Sequence, residues 1–347
     1  MANTPYRRSP MIRKLQSVFV GLVLTSAVAF VNAADEEFDE IPDAIAVTPE
    51  STDPIKLPLW EWTGHHVSQM LAGEILKTMG YNVEYVHVGE IPSIPSIRNG
   101  ELHGSLEYWV STNRVKFFKA TQENGGAEDM GYLGLAPGQA WYYPSYVEEQ
   151  CPGLPDWTAL NECAEVFASD ETFPKGRFLD YPAEWRVYNE DRIAALELNY
   201  VPVRSSGEGS LITEIESAYA RQAPLLVMFW TPHWLLSKFD LKEVKFPQHQ
   251  VECQTDPSWG VNPDLPWDCG HPAEEIKKLM WGGIRDKWPA AYRLLRNYRV
   301  TNDIQNELVL RIDVEGEKLE DVIADWLANN ERTWQPWVKD AMYNPGK

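Results

Sequence analysis

The apolar run at residues 225–229 (LLVMF) is the strongest local signal for a buried strand in this chain. A continuous apolar run of this length is typical of a strand covered on both faces, as in a parallel α/β sheet. Thr231-Pro232 then ends the strand, because proline has no N–H for the ladder. Trp230 and Trp234 lie at this break, and ligands of open α/β sheets bind at the C-terminal ends of strands. We therefore expect Trp230 to line a ligand pocket.

The first folded unit is predicted to begin at residue 55 with a strand, a helix and a second strand. The helix carries apolar residues at helical spacing and ends at Gly80. Two strands joined by one helix within some thirty-five residues indicate a βαβ unit and a parallel sheet. Trp62 and Trp109 lie at or just past the C-terminal ends of strands, where they can converge; core packing is the alternative for each. The predicted elements are strands at 55–62, 81–88 and 102–108 and helices at 65–79 and 94–99.

A second α/β unit is predicted from about residue 138, and it ends in the strand at 225–229. It begins with an aromatic strand, GQAWYYPSYV, which Pro144 interrupts. Its clearest helix places five apolar side chains on one face. The chain past residue 272 is predicted to be helical throughout. The predicted elements are strands at 138–147 and 199–203 and helices at 190–198, 208–222, 290–298 and 319–327.

The N-terminal residues have the composition of an export signal. Arg7, Arg8, Arg13 and Lys14 precede an apolar stretch at 18–30 and a small-residue cleavage site ending at Ala33. Removing residues 1–33 would change the net charge from −20 to −24, because the segment has four basic and no acidic residues. Such acidity argues against a nucleic-acid partner. Residues 34–54 are acidic and poor in large apolar groups, so we expect a flexible leader.

Four cysteines in an exported chain indicate two disulfides. The local pairings are Cys151 with Cys163 and Cys253 with Cys269. Zinc is the alternative for four cysteines, but no C-x-x-C spacing occurs in the sequence.

The sequence has none of the common catalytic, cofactor or metal-binding motifs, and its distinctive feature is aromatic. Fifteen tryptophans and fifteen tyrosines are many for 347 residues. Aromatic side chains clustered at strand ends suit a quaternary ammonium ion, which cannot donate a conventional hydrogen bond and is held by ring faces. They also suit sugars, and the alternative is a tryptophan-rich carbohydrate-binding protein or a glycoside hydrolase with two facing carboxylates. Glu61, Glu107 and Glu184 flank the tryptophans and keep this alternative open.

Five segments resemble those of periplasmic glycine betaine/proline betaine/choline-binding proteins of ABC importers. They are WEWTGHH, GSLEYW, GQAWYYP, FWTPHWLLSKFDL and WPAAYRLLRNYRV, and the likeness covers most of residues 55–340. The resemblance implies an α/β fold of two lobes, the type II periplasmic binding-protein architecture. The ligand would lie in the cleft between the lobes, with its trimethylammonium group in a box of aromatic rings.

Carried over residue by residue, the resemblance implies a box of aromatic residues at Trp62, Trp109, Trp141 and Trp230, with Trp185 as a further ring. Tyr142 is the alternative to Trp141 if the strand register slips by one residue, since that shift exchanges the two faces.

The resemblance does not settle how the polar end of the ligand is bound. Some members bind the betaine carboxylate through a glycine/cysteine-rich turn, which is YPAEWRVYN here. The backbone amides of 184–187, Arg186 or His233 are the candidates; His233 has an alternative role as a hydrogen-bonding residue of the hinge helix. Choline-binding relatives have an acidic residue two positions after the first tryptophan, and Gly64 at that position favours betaine.

We therefore predict a periplasmic, monomeric solute-binding protein with no catalytic activity and no cofactor. It would deliver glycine betaine or a similar quaternary ammonium solute to an inner-membrane ABC permease. Lobe one is expected at 55–136 plus 245–347 and lobe two at 137–244. The connections near Pro137 and between 241 and 247 would form the hinge, since closure needs only a few residues to change conformation.

Overall fold

The computed structural model describes residues 49–111, 114–185 and 188–343. The predicted signal peptide, most of the leader and Arg186 lie outside these ranges. Eleven strands and twelve α-helices are found in the part described. No helix within these ranges is long and apolar enough to span a bilayer.

The elements in chain order are β1 (Ile55–Leu59), α1 (Thr63–Thr78), β2 (Val83–His87), α2 (Glu90–Asn99), β3 (Gly104–Trp109), α3 (Arg114–Thr121), β4 (Ala127–Tyr132), β5 (Gly138–Pro144), β6 (Pro152–Pro155), β7 (Gly176–Asp180), α4 (Asn189–Ala195), β8 (Tyr200–Arg204), α5 (Glu208–Arg221), β9 (Leu226–Thr231), α6 (Leu235–Lys238), β10 (Leu241–Glu243), α7 (Glu252–Thr255), β11 (Ile276–Trp281), α8 (Ile284–Lys287), α9 (Pro289–Asn297), α10 (Asn302–Asp313), α11 (Leu319–Asn329) and α12 (Glu331–Tyr343). Three short 3-10 helices at Ser145–Glu149, Trp157–Leu160 and Ala164–Phe167 cover the segment around the first disulfide.

The predicted βαβ unit is confirmed. β1 and β2 pair in parallel, with Ile55 opposite Val83, and α1 connects them. Pro58 is accommodated in β1, which has one strand neighbour, because the missing N–H costs no bond on an open edge.

The prediction that everything past residue 272 is helical is wrong, because β11 lies between β3 and β4 and pairs antiparallel with both. The sequence of β11, IKKLMW, does not show the alternation typical of a strand, because two consecutive lysines interrupt the apolar residues. Lys278 is nevertheless fully buried. Its ammonium nitrogen donates to the carbonyl oxygens of Leu295, Arg296 and Tyr298 at 2.8–2.9 Å. These bonds replace the water that a lysine normally needs.

The second sheet has five strands in the order β10-β5-β9-β7-β8. β7 pairs in parallel with β8 and β9, whereas β5 pairs antiparallel with β9. β9 is therefore central and buried on both faces, as the apolar run predicts, but in a mixed sheet instead of a purely parallel one. Residues 138–243 supply this sheet, and the other two sheets come from 55–132 and 276–281.

Helices from the C-terminal part pack around α1. α1 contacts α9, α10 and α11, and α12 packs on α9. Trp326 and Leu327 lie on the buried face of α11, which agrees with the periodicity of the sequence. α10 and α12 lie within the region past residue 272 that was predicted to be helical, although no bounds were predicted for them.

Both predicted disulfides are confirmed. Cys151 is bonded to Cys163 and Cys253 to Cys269, and the paired Cα atoms are 5.6 and 6.3 Å apart. The end of the predicted leader differs from expectation, because it is attached to the folded unit. Glu50 accepts a hydrogen bond of 2.6 Å from the Tyr81 hydroxyl.

Candidate ligand-binding site

A cavity of about 40 Å³ lies where the C-terminal ends of β3 and β9 meet the start of α1. By the same measure, one water molecule needs about 10–15 Å³. The site therefore has room for a small ligand and is almost entirely aromatic. Its lining residues are Trp62, Glu90, Trp109, Gln139, Tyr181, Trp185 and Trp230.

The four tryptophans come from separate places in the sequence. Trp62 precedes the first residue of α1, Trp109 ends β3, and Trp230 is the penultimate residue of β9. Trp185 lies in the turn after β7, where its backbone N–H donates to the carbonyl oxygen of Pro182 at 2.9 Å. The four side chains are only 6–9% exposed. The strand-end positions inferred from the sequence thus converge.

The rings stand nearly perpendicular to one another. Trp185 contacts Trp62 with centroids 5.4 Å apart and Trp230 with centroids 5.8 Å apart, at interplanar angles of 78° and 83°. Tyr181 contacts Trp185 and Trp230 in the same edge-to-face manner. Differently oriented rings can present electron-rich faces to one small cation from several sides.

Glu107 lies behind two of the rings. Its Oε1 accepts the indole N–H groups of Trp62 at 2.8 Å and of Trp109 at 3.2 Å. Its Oε2 accepts from the Ser68 hydroxyl and from the Gln305 amide, each at 2.7 Å. Burial raises the pKa of Glu107, and these four hydrogen bonds oppose that rise. This carboxyl group fixes indoles and does not face the cavity as a catalytic acid would.

Tyr181 contributes a polar group to an otherwise apolar wall. Its side chain is buried, and its hydroxyl has no hydrogen-bond partner within the described part of the protein. Burial raises the pKa of Tyr181 well above 10, so the hydroxyl keeps its proton and can donate. Glu90 and Gln139 are the other polar residues of the lining, and the described lining has no lysine or arginine.

The structure corrects the predicted position of Trp141, which is fully buried in the core. Its ring stacks on Phe178 at 3.9 Å, and its indole N–H donates to Asn189 at 2.8 Å. Strand register is the reason. Gln139 lies opposite Trp230 and takes the place at the cavity, whereas Trp141 lies opposite Met228, two residues deeper.

The alternative residue Tyr142 does not line the cavity either. It is half-buried on the opposite face of β5, and burial raises its pKa to about 12. Tyr181, Gln139 and Glu90 also line the cavity and were not predicted from the sequence. Tyr181 follows the end of β7 in the same strand-end position as the tryptophans, but β7 is a five-residue strand that no predicted element covers.

His233 binds neighbouring protein groups and does not line this cavity. Its Nδ1 accepts the backbone N–H of Leu235, so Nε2 carries the proton and donates to Glu208 at 3.2 Å. Glu208 also accepts the backbone N–H of Thr63 at 2.9 Å, which joins α5 to α1. Glu208, His233 and Asp313 lie within 4.8 Å of one another, as metal ligands do. The imidazole, however, has both nitrogens engaged and no lone pair to offer a metal.

A family model described as the substrate binding domain of an ABC-type glycine betaine transport system matches residues 53–329. This range is most of the chain and contains every residue of the cavity. The protein belongs to this family.

Two named binding proteins are similar to this chain. The trimethylamine N-oxide-binding protein of Pelagibacter ubique (strain HTCC1062) is 28% identical over 338 residues, which cover 94% of this chain and all of the relative. The glycine betaine/carnitine transport binding protein GbuC of Listeria monocytogenes is 25% identical over 136 residues, 39% of each chain.

Two solved structures share the fold. The ProX protein of Borrelia burgdorferi, a glycine/betaine/L-proline-binding protein, has a TM-score of 0.66 at 19% identity and covers 83% of this chain and 100% of its own. Lactococcal OpuAC in a closed form with glycine betaine has a TM-score of 0.61 at 15% identity, covering 82% and 99%. The two-lobed α/β architecture is therefore that of periplasmic binding proteins.

Membership of the glycine betaine transport family decides between the two functions that the sequence left open. The protein is the substrate-binding component of an ABC importer, with a small-molecule ligand and a permease partner, and it is not a glycoside hydrolase. Proteins of this family act outside the cytoplasmic membrane, and the two disulfides agree with export.

Proposed function

We propose that the cavity binds the methylated ammonium group of a small solute against Trp62, Trp109, Trp185 and Trp230. The convergence of these four buried indoles is the observation that carries the proposal. Each desolvated ring contributes about 2 kcal/mol to binding a cation. Four rings then contribute on the order of 8 kcal/mol before other costs, which corresponds to about micromolar affinity.

Trimethylamine N-oxide is the first candidate ligand. It is compact enough for a small cavity, and its oxygen needs a hydrogen-bond donor, which the Tyr181 hydroxyl supplies. A relative that is 28% identical over 338 residues is named for this ligand. Glycine betaine is the second candidate, supported by the family description. Its carboxylate would meet Glu90, another carboxyl group, without a lysine or arginine in the described lining.

Arg186 and the backbone amides beside it stay proposals for binding a ligand carboxylate. They follow Trp185 directly in the sequence, and Trp185 lines the cavity. His233 is a weaker proposal for this role, because its two nitrogens already bond to Leu235 and Glu208.

Isothermal titration calorimetry tests the ligand class. The panel is trimethylamine N-oxide, glycine betaine, choline, carnitine, proline betaine and the sulfonium analogue of betaine, with unmethylated glycine as the control. We expect at least one methylated compound to bind with micromolar affinity, trimethylamine N-oxide most tightly, and no binding of glycine. Failure of every methylated compound to bind below millimolar concentration would refute the proposed function.

We propose that binding closes two lobes, 55–136 plus 245–347 and 137–244, about a hinge near Pro137 and 241–247. Each lobe would contribute two tryptophans, as the division into sheets supports. The protein would be a periplasmic monomer released by cleavage near Ala33. N-terminal sequencing of the exported protein and its mass in solution by light scattering test these two points.

A further inference from the structure

Glu107 occupies an unusual place for an acidic side chain. It is 1% exposed, yet none of the four groups that hydrogen-bond to its carboxyl oxygens is cationic. Two of those groups are the indoles of Trp62 and Trp109, which line the cavity. Burying an acid without a cationic partner is costly, so its position behind a cation site calls for a reason.

The hydrogen bonds of Glu107 restrict the orientation of both indoles. Each indole has one donor, and both donate to the same oxygen, Oε1. Ser68 from α1 and Gln305 from α10 hold the other oxygen, so two helices fix the position of the carboxyl group that β3 carries. The rings are thereby held in place before a ligand arrives, which lowers the entropy lost on binding.

Burial favours the neutral acid, but each carboxyl oxygen accepts two hydrogen bonds, which favours the ionised form. The charge of that carboxylate acts in the same direction as the rings. An anion that accepts an indole N–H increases the electron density of the ring, and the ring face attracts cations through that density. The negative charge also attracts a cation directly, because a buried charge is screened less by water than an exposed one.

We propose that Glu107 is a positioning residue of the cation site, which holds the indoles of Trp62 and Trp109 and supplies the negative charge behind them. This inference rests on the proposed function, since it needs a cationic ligand in the cavity. A unit negative charge about 7 Å from a bound cation, at an effective permittivity of about 20, raises the association constant of that cation by roughly fiftyfold. We therefore expect loss of the charge to weaken cation binding by about ten- to fiftyfold.

The test compares Glu107→Gln with the wild-type protein. The probes are trimethylamine N-oxide, glycine betaine and choline. Each is paired with an analogue in which carbon replaces the quaternary nitrogen: tert-butanol, 3,3-dimethylbutanoate and 3,3-dimethylbutan-1-ol. Binding is measured by calorimetry for the cationic compounds and by competition for the analogues, and folding is checked by thermal melting. Ser68→Ala is the matched control, because it removes one hydrogen bond to the same carboxylate and keeps the charge.

The expected result for Glu107→Gln is a ten- to fiftyfold loss for the compound with the quaternary nitrogen and less than a threefold loss for its carbon analogue, which lacks the positive charge. Ser68→Ala should change cation binding by less than a factor of about five. Equal losses for both members of a pair would show a purely structural role and overturn the proposal. Unchanged cation affinity in Glu107→Gln would overturn it as well.

A second pair of variants applies if Glu107→Gln does not fold. Glu107→Asp and Glu107→Asn shorten the side chain equally, but the Asn variant has no charge and an NH2 donor in place of one accepting oxygen, so the Asp variant should bind the cation about tenfold more tightly. Equal affinities of these two variants would overturn the proposal. The proposed function fails separately, if the wild-type protein binds none of the cationic probes.

Discussion

Replacing Trp185 and Trp141 separately tests the site most directly, because the sequence suggested both as rings of one box. In the structure Trp185 lines the cavity, and its ring contacts are with Trp62, Tyr181 and Trp230. Trp141 is fully buried, stacks on Phe178 and bonds to Asn189. Trp185→Ala should therefore mainly weaken ligand binding, whereas Trp141→Ala should mainly lower the stability of the fold.

The expected magnitudes follow from these surroundings. Trp185→Ala removes one desolvated cation–π face, which costs about 1.5–3 kcal/mol of binding, or roughly ten- to a hundredfold in Kd. Trp141→Ala leaves a cavity in a closed core and removes one of the two donors to Asn189 Oδ1, the other being Arg192, and such changes cost about 3–5 kcal/mol of stability. At roughly 2–4 °C per kcal/mol, Tm should fall by about 10 °C.

Two measurements separate the variants. Calorimetry with the tightest ligand of the panel gives Kd for the folded fraction, and thermal unfolding followed by circular dichroism gives Tm. We expect Trp185→Ala to weaken binding with only a small change in Tm, and Trp141→Ala to lower Tm with less than a fivefold change in Kd. Trp326→Ala, on the buried face of α11, is a control for loss of core packing far from the ligand.

One pattern of results would refute this assignment. If Trp185→Ala binds as tightly as the wild-type protein, while Trp141→Ala loses affinity without losing stability, the box is built around Trp141. The strand register that places Gln139 opposite Trp230 would then be wrong as well.

Three further changes should give measurable effects. Reducing the two disulfides, which close loops of 12 and 16 residues, should lower the free energy of unfolding by about 3 kcal/mol for each bond and should lower Tm. Free thiols in the untreated protein would contradict the pairing. Glu208→Gln weakens the hydrogen bond to Thr63, which joins α5 to α1, and should weaken ligand binding about tenfold by disfavouring closure. Glu214→Gln on the same helix is the control and should leave binding unchanged. Equal effects of the two variants would exclude a role of Glu208 in closure. Tyr181→Phe should weaken the binding of trimethylamine N-oxide about two- to tenfold and leave the binding of tetramethylammonium unchanged. Equal losses for the two compounds by calorimetry would rule out the proposed hydrogen bond.

Local patterns in the sequence predicted elements whose formation depends on nearby residues. The apolar run of β9, the helical faces of α1 and α5 and the parallel βαβ unit formed by β1, α1 and β2 all follow from periodicity within short windows. The disulfide pairings were predictable for the same reason, since each joins cysteines that are close in sequence. Tryptophans at predicted strand ends were sufficient to indicate Trp62, Trp109 and Trp230.

Only the tertiary structure decided the features that depend on distant pairing. β11 pairs with β3 across more than 160 residues, and no local pattern specifies such a partner. The choice of Gln139 over Trp141 depends on register: both side chains lie on the same face of β5, and the pairing with β9 places Gln139 level with Trp230 and Trp141 two residues further from the cavity. Glu107 looked in the sequence like a surface or catalytic acid, and its contacts with two box indoles arise from the packing of β3 against α1 and α10. The residue types of the site were thus visible in the sequence, whereas their arrangement required the packing of elements far apart along the chain.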